Sequence, residues 1–134
     1  MSDVEKVEAA ALASARQRSL ELLFDYTKFH IGLYLAIGTA YVTVASIKIG
    51  DKLLLEIGWC WAGPAVGCFA LAGLAGGVIA SSITQTAARD SREFLREKIG
   101  PWNWRIVEAR KWTWVEHTSF WAGLVLAFLS LRVK

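Results

Sequence analysis

The sequence has few cysteines, prolines and histidines, with two of each in 134 residues. So few cysteines exclude a small disulfide scaffold, and Cys60 and Cys68 would lie about 12 Å apart along one helix, too far for a bridge. A hydrophobic content of 54% excludes intrinsic disorder and a collagen-like repeat. The residues from Met1 to Glu5 contain no basic segment that leads into an apolar one, so we expect no secretory leader.

Motifs that mark catalysis or cofactor binding are also missing from the sequence. It contains no HExxH, no pair of CxxC motifs, no glycine-rich phosphate loop and no nucleophile elbow. We therefore predict that the chain is not an enzyme and that it holds neither a cofactor nor a metal. The net charge of +3 is compatible with nucleic-acid binding, but acidic residues dilute the basic segment 89–111. Anionic lipid headgroups explain that segment more simply, so we expect no nucleic-acid partner.

The apolar residues of the chain are gathered into blocks, although charged residues make up 20% of it. A run without charge between Lys28 and Lys48 approaches the roughly 20 residues that a membrane-spanning helix needs. Before this run, Ala, Leu, Glu and Arg predominate, and these residues favour a helix. The pattern predicts an all-α integral membrane protein with three transmembrane helices and additional cytoplasmic amphipathic helices.

The predicted segments form a single membrane domain that covers residues 1–134. They are a cytoplasmic helix at 1–28, transmembrane helices at 29–48, 53–83 and 112–131, a cytoplasmic helical hairpin at 84–111, and an external tail at 132–134. The second apolar run would measure about 46 Å as a helix, against a hydrocarbon core of roughly 30 Å. We therefore expect it to tilt, to kink at Pro64 or to project into water.

Lysine and arginine are distributed unevenly around these apolar runs. Most of the 15 basic residues lie before the first run or between 84 and 111, and few lie at 48–52 or after 131. Because basic residues in short loops favour the cytoplasmic side, we predict a cytoplasmic amino terminus and an external carboxyl terminus. The expected location is a plasma membrane such as the bacterial inner membrane.

The second apolar run carries a track of small residues at helical spacing. It contains two GxxxG motifs, which begin at Gly63 and Gly73. Small residues let helices approach closely in lipid, where hydrophobic burial does not drive them together. The track either joins this chain to another copy or another subunit, or packs against the other two spans of the same chain. The predicted helix-packing residues are Gly63, Gly67, Ala70, Gly73, Gly77 and Ser81.

A few ionisable residues fall inside or beside the apolar runs, where such groups suggest a function. Asp25 and His30 open the first run, and Glu116 and His117 open the third, so all four belong to the predicted cytoplasmic side. They form either a polar cluster suited to proton transfer or interface anchors with one interhelical hydrogen bond. Adjacent helical residues point about 100° apart, so we expect Glu116 and His117 not to converge on one point. Glu56 lies on the opposite side, either as an ion or proton site or in an i,i+4 pair with a lysine.

Six of the tryptophans occur in three Trp-x-Trp pairs near the ends of the apolar runs. Residues two apart lie on nearly opposite faces of a helix, so one ring of each pair can face lipid. Aromatic rings beside basic residues are typical of a membrane–water boundary, and a stacking box for a cofactor is the alternative. The predicted interface anchors are Trp59, Trp61, Trp102, Trp104, Trp112 and Trp114.

Together these features predict a non-enzymatic membrane protein that acts by helix–helix association. One hypothesis is self-assembly into a homo-oligomer, channel-like or pore-like, whose cytoplasmic helices receive a partner or a signal. Against a pore, no span has a clear polar stripe to line a water path. The alternative hypothesis is an accessory subunit of a larger transporter or respiratory-type complex. In either case the expected partners are the lipid bilayer, including its anionic headgroups, and another copy or another membrane subunit.

Overall fold

The computed structural model describes residues 3–49, 51–53, 55–86, 88 and 90–133, with the backbone alone at 49, 53, 55, 56, 103, 132 and 133. The helices are α1 (Asp3–Ala45), α2 (Trp59–Ile83), α3 (Ser91–Arg96) and α4 (Ala109–Ser130). The strands are β1 (Lys48–Ile49), β2 (Lys52–Leu53), β3 (Leu55–Ile57), β4 (Lys98–Ile99), β5 (Val107–Glu108) and β6 (Leu131–Val133). A 3-10 turn covers Pro101–Asn103. The predicted all-α class is confirmed, with the strands serving only as short connections.

Helix α1 is a single rod of 43 residues, about 65 Å long. The predicted boundary between a cytoplasmic helix and a first span, at 28 and 29, is not a break in this rod. The first part of α1 contains neither glycine nor proline, so nothing in its sequence interrupts the helix. Asp3 and Glu5 lie in the first turn, where negative charge is favourable beside the positive end of the helix dipole.

The second apolar run begins as strand rather than helix. The backbone is extended at β2 and β3, and α2 begins only at Trp59. Strand β3 pairs antiparallel with β6, in a register that places Glu56 opposite Arg132. The predicted start of this helix at residue 53 is therefore wrong, because residues 55–57 and 131–133 supply each other's backbone hydrogen bonds. The predicted tail at 132–134 is a strand as far as Val133. Lys134 lies outside the described residues.

Among the described residues of the segment 84–111, predicted as a helical hairpin, α3 is the one α-helix that precedes α4. Helix α3 has six residues and is capped by Asp90, whose Oδ1 accepts a hydrogen bond from the Glu93 backbone N–H at 2.8 Å. The chain then forms the antiparallel pair β4–β5 around the 3-10 turn. The hairpin prediction was wrong because α3 already ends at Arg96, before Gly100 and Pro101. The described residues between α3 and α4 form the β4–β5 pair and the 3-10 turn instead of a second α-helix.

Helix α2 packs antiparallel against both α1 and α4, over two apolar clusters. The cluster near α3 contains the buried residues Ile79, Ala88, Phe94, Ile99 and Ala109. The cluster nearer the β3–β6 pair contains Ala65, Phe69 and Ala127, with Ile37, Tyr41 and Phe120 against them. The core therefore follows one face of α2 from end to end.

Among the described residues, α2 is the one helix long and apolar enough to cross a membrane by length and composition. The three-span prediction is not confirmed by this measure. Helix α4 carries Glu116 and His117 within its apolar run, and α1 carries His30 and several tyrosine and threonine residues in its own. These polar side chains reduce the hydropathy of both helices.

Candidate functional site

Glu116 of α4 is held by Tyr34 of α1 in the interior of the helix bundle. The Tyr34 hydroxyl donates a hydrogen bond to Glu116 Oε1 across 3.0 Å. Both residues are 2% exposed, so the bond is shielded from water. Hydrogen bonds to charged or polar groups matter most in such surroundings, because an unpaired buried polar atom is costly. This bond joins two helices that are distant in the sequence.

His30 lies one helical turn before Tyr34 and faces the same carboxyl group. Its Nδ1 is 3.8 Å from Glu116 Oε1, beyond hydrogen-bond distance. This nitrogen is buried and has no hydrogen-bond partner among the described residues. The imidazole is stacked nearly parallel to the Tyr34 ring, with centroids 5.7 Å apart, and the Tyr26 ring meets it edge-on at 4.0 Å. The ring is therefore held in place although its nitrogen is unpaired.

His117 approaches His30 from a second direction. The two imidazoles are 5.5 Å apart and nearly perpendicular. His117 Nδ1 lies 2.8 Å from the Thr113 carbonyl oxygen. Because a carbonyl can only accept, that nitrogen carries a hydrogen atom. His30 therefore has both Glu116 and His117 as neighbours, although adjacent residues of α4 point in different directions.

Gly76 of α2 makes room for this cluster. A β-carbon at Gly76 would lie 2.9 Å from Ile31 Cγ1 and 3.5 Å from Glu116 Oε1. The first distance is too short for a real contact, so any side chain here would push α1 away from α2. Gly76 lies between two glycines of the predicted packing face and was not itself predicted to pack.

The remaining members of the predicted polar cluster lie elsewhere. Asp25 is exposed on α1. The backbone of Glu56 lies in β3, at the other end of the bundle, and its side chain lies outside the described part of the structure. The helical spacing on which the i,i+4 pair of Glu56 was based is not present, because the backbone of β2 and β3 is extended. Tyr34 was missed, although its position four residues after His30 places the two on one helix face.

The small-residue track of α2 does not pack within the chain. Around Gly63, Gly67, Gly73 and Gly77, apart from the adjacent residues and the nearby backbone of α2 itself, no described atom lies within 4 Å of where a β-carbon would be. Ala70 and Ser81 are exposed. The face of α2 that does pack contains Ala62, Ala65, Phe69, Ala72, Ala75, Gly76 and Ile79. At 100° per residue, this packed face is nearly opposite the face through Gly63, Gly67 and Gly77.

The six tryptophans predicted as interface anchors divide into two groups. Exposed rings belong to Trp59, Trp61, Trp102, Trp104 and Trp114. Trp112 is half-buried, and its indole N–H donates to the Ile99 carbonyl across 3.2 Å. Trp112 thus supports the β4–β5 pair, on whose loop Trp102 has a positive φ of 52°.

No protein-family model, curated protein or solved structure matches this chain. Its function must be argued from its own geometry.

The buried cluster brings together two imidazoles, a carboxyl group and a phenol, which are groups able to exchange protons. Within the described ranges, no group of three His, Cys, Asp or Glu side chains is placed to hold a metal ion. Cys60 is exposed and Cys68 half-buried, and both are free thiols on α2. The Cys68 side chain lies against Gly123 of α4 rather than beside Glu116. The cluster of Tyr34, His30, Glu116 and His117 is the candidate site.

Proposed function

We propose that this chain is a small membrane protein of three transmembrane helices that acts by helix–helix association, chiefly with further copies of itself. In this proposal the spans are the second half of α1, α2 and α4. The amino terminus and α3 face the cytoplasm, and the β3–β6 pair lies on the outer side. The exposed first half of α1 and α3 form the surface that receives a cytoplasmic partner or signal.

Support for three spans comes from the outward surface of the bundle. Large apolar side chains are exposed on each long helix, among them Leu35 on α1, Leu74 on α2 and Phe128 on α4. In water so many exposed apolar side chains would favour aggregation or interaction, whereas lipid accepts them without cost. The same outward apolar surface on α1 and α4 supports their placement in lipid, although their polar residues lower their mean hydropathy.

The observation that carries the association proposal is the open glycine face of α2. Internal packing uses the opposite face of this helix, so the glycines are not needed to fit α1 or α4 against it. Glycine at these positions exposes backbone that another helix could approach closely. This face of α2 suits close contact with another helix, and no described helix of the same chain covers it. That supports a partner from outside the chain.

Replacing Gly63 with leucine tests this proposal. Apart from the adjacent residues and the nearby backbone of α2, Gly63 has no described neighbour within 4 Å of its β-carbon position, so the folded yield should be preserved while the assembly becomes smaller. The measurement is particle mass in mild detergent by light scattering after chromatography. Gly32→Leu is the matched control, because Gly32 is equally open but lies on α1.

A wild-type chain that is monomeric in every mild detergent would contradict self-association. A monomer that becomes stable only with another membrane protein would favour the accessory-subunit alternative, which uses the same face. Orientation is tested separately by a reporter fused after Lys134. A reporter active only in the cytoplasm would overturn the proposed external carboxyl terminus.

A further inference from the structure

Two polar groups face each other in the bundle interior without completing a bond. The Glu116 side chain is 3% exposed and accepts one hydrogen bond, from Tyr34. The His30 side chain is 16% exposed, and its Nδ1 stops 3.8 Å from the carboxyl oxygen. A movement of about 1 Å would bring the pair to the length of a charge-assisted hydrogen bond. The two groups are therefore positioned to bond, but the hydrogen bond between His30 Nδ1 and Glu116 Oε1 is not formed.

The groups around Glu116 provide no permanent positive charge. From α1 it is faced by His30 and Tyr34, with Tyr26 behind them. From α4 the neighbouring titratable group is His117, and from α2 the neighbour is Gly76. Within the described residues, His30 is the one basic group at ion-pair distance from Glu116. With neutral imidazoles and an ionised carboxyl, the cluster holds one uncompensated negative charge, which is costly away from water.

We propose that the His30–Glu116 pair is a binding site for one proton and that this proton fastens α1 to α4. The proton comes from water and returns to it, so no other species is consumed or released. When the proton is on the Glu116 carboxyl group, that group donates a hydrogen bond to His30 Nδ1. When the proton is on the His30 imidazole, Nδ1 donates a hydrogen bond to Glu116 Oε1. Either arrangement removes the net charge and completes the missing bond, whereas a neutral histidine donating from Nδ1 would leave the charge in place.

The neighbouring side chains limit the site to a single proton. Tyr34 is a positioning residue: its hydroxyl holds Oε1, and its ring fixes the plane of His30. The hydrogen on His117 Nδ1 is committed to the Thr113 carbonyl, which fixes that ring edge-on to His30. A second positive charge on His117 would lie against the first. His30 is the more exposed member, and the proposed orientation makes it the entry point for protons from the cytoplasm.

The inference does not require self-association, because every group belongs to one chain. It predicts that the docking of α1 on α4 responds to pH between about pH 5 and pH 8, the range in which histidine and its close partners change charge. Failure of the Gly63 experiment would leave this site unaffected, and failure here would leave the glycine face unaffected.

The test is pH-difference infrared spectroscopy of the full chain in detergent, which follows the carboxyl and carboxylate bands of Glu116 together with the ring bands of histidine. The wild type should show a carboxyl or imidazole titration of the His30–Glu116 pair in this range. Glu116→Gln should remove a carboxyl signal, or move an imidazole signal to lower pH because the protonated ring loses its negative partner. His30→Gln, which keeps the carboxyl, should shift that titration to lower pH. Tyr34→Phe should shift it to higher pH, because the ionised carboxyl loses its donor. Asp25→Asn, at an exposed carboxyl on α1, is the matched control and should leave the signal unchanged.

The proposal is overturned if Glu116→Gln titrates like the wild type, or if Asp25→Asn removes the signal. If Glu116→Gln does not fold, the His30 and Tyr34 variants decide the matter. Midpoints that stay at the wild-type value in both would show that the cluster is only a structural contact.

Discussion

Gly76 and Gly77 are neighbours on α2, and the structure predicts opposite results for the same substitution at each. A β-carbon at Gly76 would meet Ile31 Cγ1 at 2.9 Å, whereas one at Gly77 would meet no described atom within 4 Å. Ile31 Cγ1 belongs to the stem of a β-branched side chain, which cannot swing aside without moving α1. Gly76→Ala should therefore separate α1 from α2 and destabilise the fold, whereas Gly77→Ala should not.

The magnitude follows from two opposing effects. Replacing glycine by alanine inside a helix stabilises it by roughly 0.5–1 kcal/mol, and this gain applies to both variants. Overpacking in a filled interior costs about 1–3 kcal/mol, and this cost applies to Gly76→Ala alone. The helix term cancels when the two variants are compared, so their free energies of unfolding should differ by about 1–3 kcal/mol.

The assay is reversible unfolding in mixed detergent, followed by circular dichroism or tryptophan fluorescence. Both variants are compared with the wild type at one protein concentration, because Gly77 lies on the proposed association face. Equal stability of the two variants, or a more stable Gly76→Ala protein, would refute the close approach of α1 to α2 at this glycine.

Two further substitutions test the ends of the core. Phe94 is 0% exposed in the cluster near α3, so Phe94→Ala should cost about 3–5 kcal/mol and speed proteolysis between 84 and 100. Unchanged cleavage would show that α3 is not anchored through this ring. Ser130 Oγ donates to the Ala127 carbonyl, so Tyr41 must donate to Ser130 across their 2.6 Å contact. Tyr41→Phe should then lower the free energy of unfolding by about 0.5–1.5 kcal/mol, and an effect no larger than that of Tyr26→Phe, at a half-exposed ring, would contradict this bond.

Local patterns in the sequence were sufficient for the helical class. They did not give the end of α3, which stops at Arg96 rather than at Gly100 and Pro101. The apolar run of α2 and the helix formers of α1 act through their own backbone and neighbours. The same reasoning failed at β3 and β6, where residues far apart in sequence pair. An apolar run of that kind is compatible with helix or strand until its partner is known.

The packing face of α2 is a second feature that the sequence did not predict. Glycine at helical spacing predicts a packing face in a transmembrane helix, and Gly63, Gly67 and Gly77 have that spacing. Inside the chain, the small residues that pack are mostly alanines, such as Ala65 and Ala72. Their spacing of three and four residues was visible in the sequence, but it was not distinguished from the glycine spacing on the opposite side. Which face meets α1 and α4 depends on how the three helices are rotated against one another.

Part of the candidate site could likewise be predicted from the sequence, and part depends on the tertiary structure. Composition and charge alone place His30, Glu116 and His117 near one end of two apolar runs, because each helix keeps its residues in a known order along its axis. Whether they touch depends on the rotation of α1 and α4 and on the space left by Gly76. Those are properties of the packed bundle, and with them come the Tyr34 hydrogen bond and the unpaired His30 nitrogen. Helical order is local and can be inferred from a string of residues, whereas the contact between helices depends on all the side chains that fill the space between them.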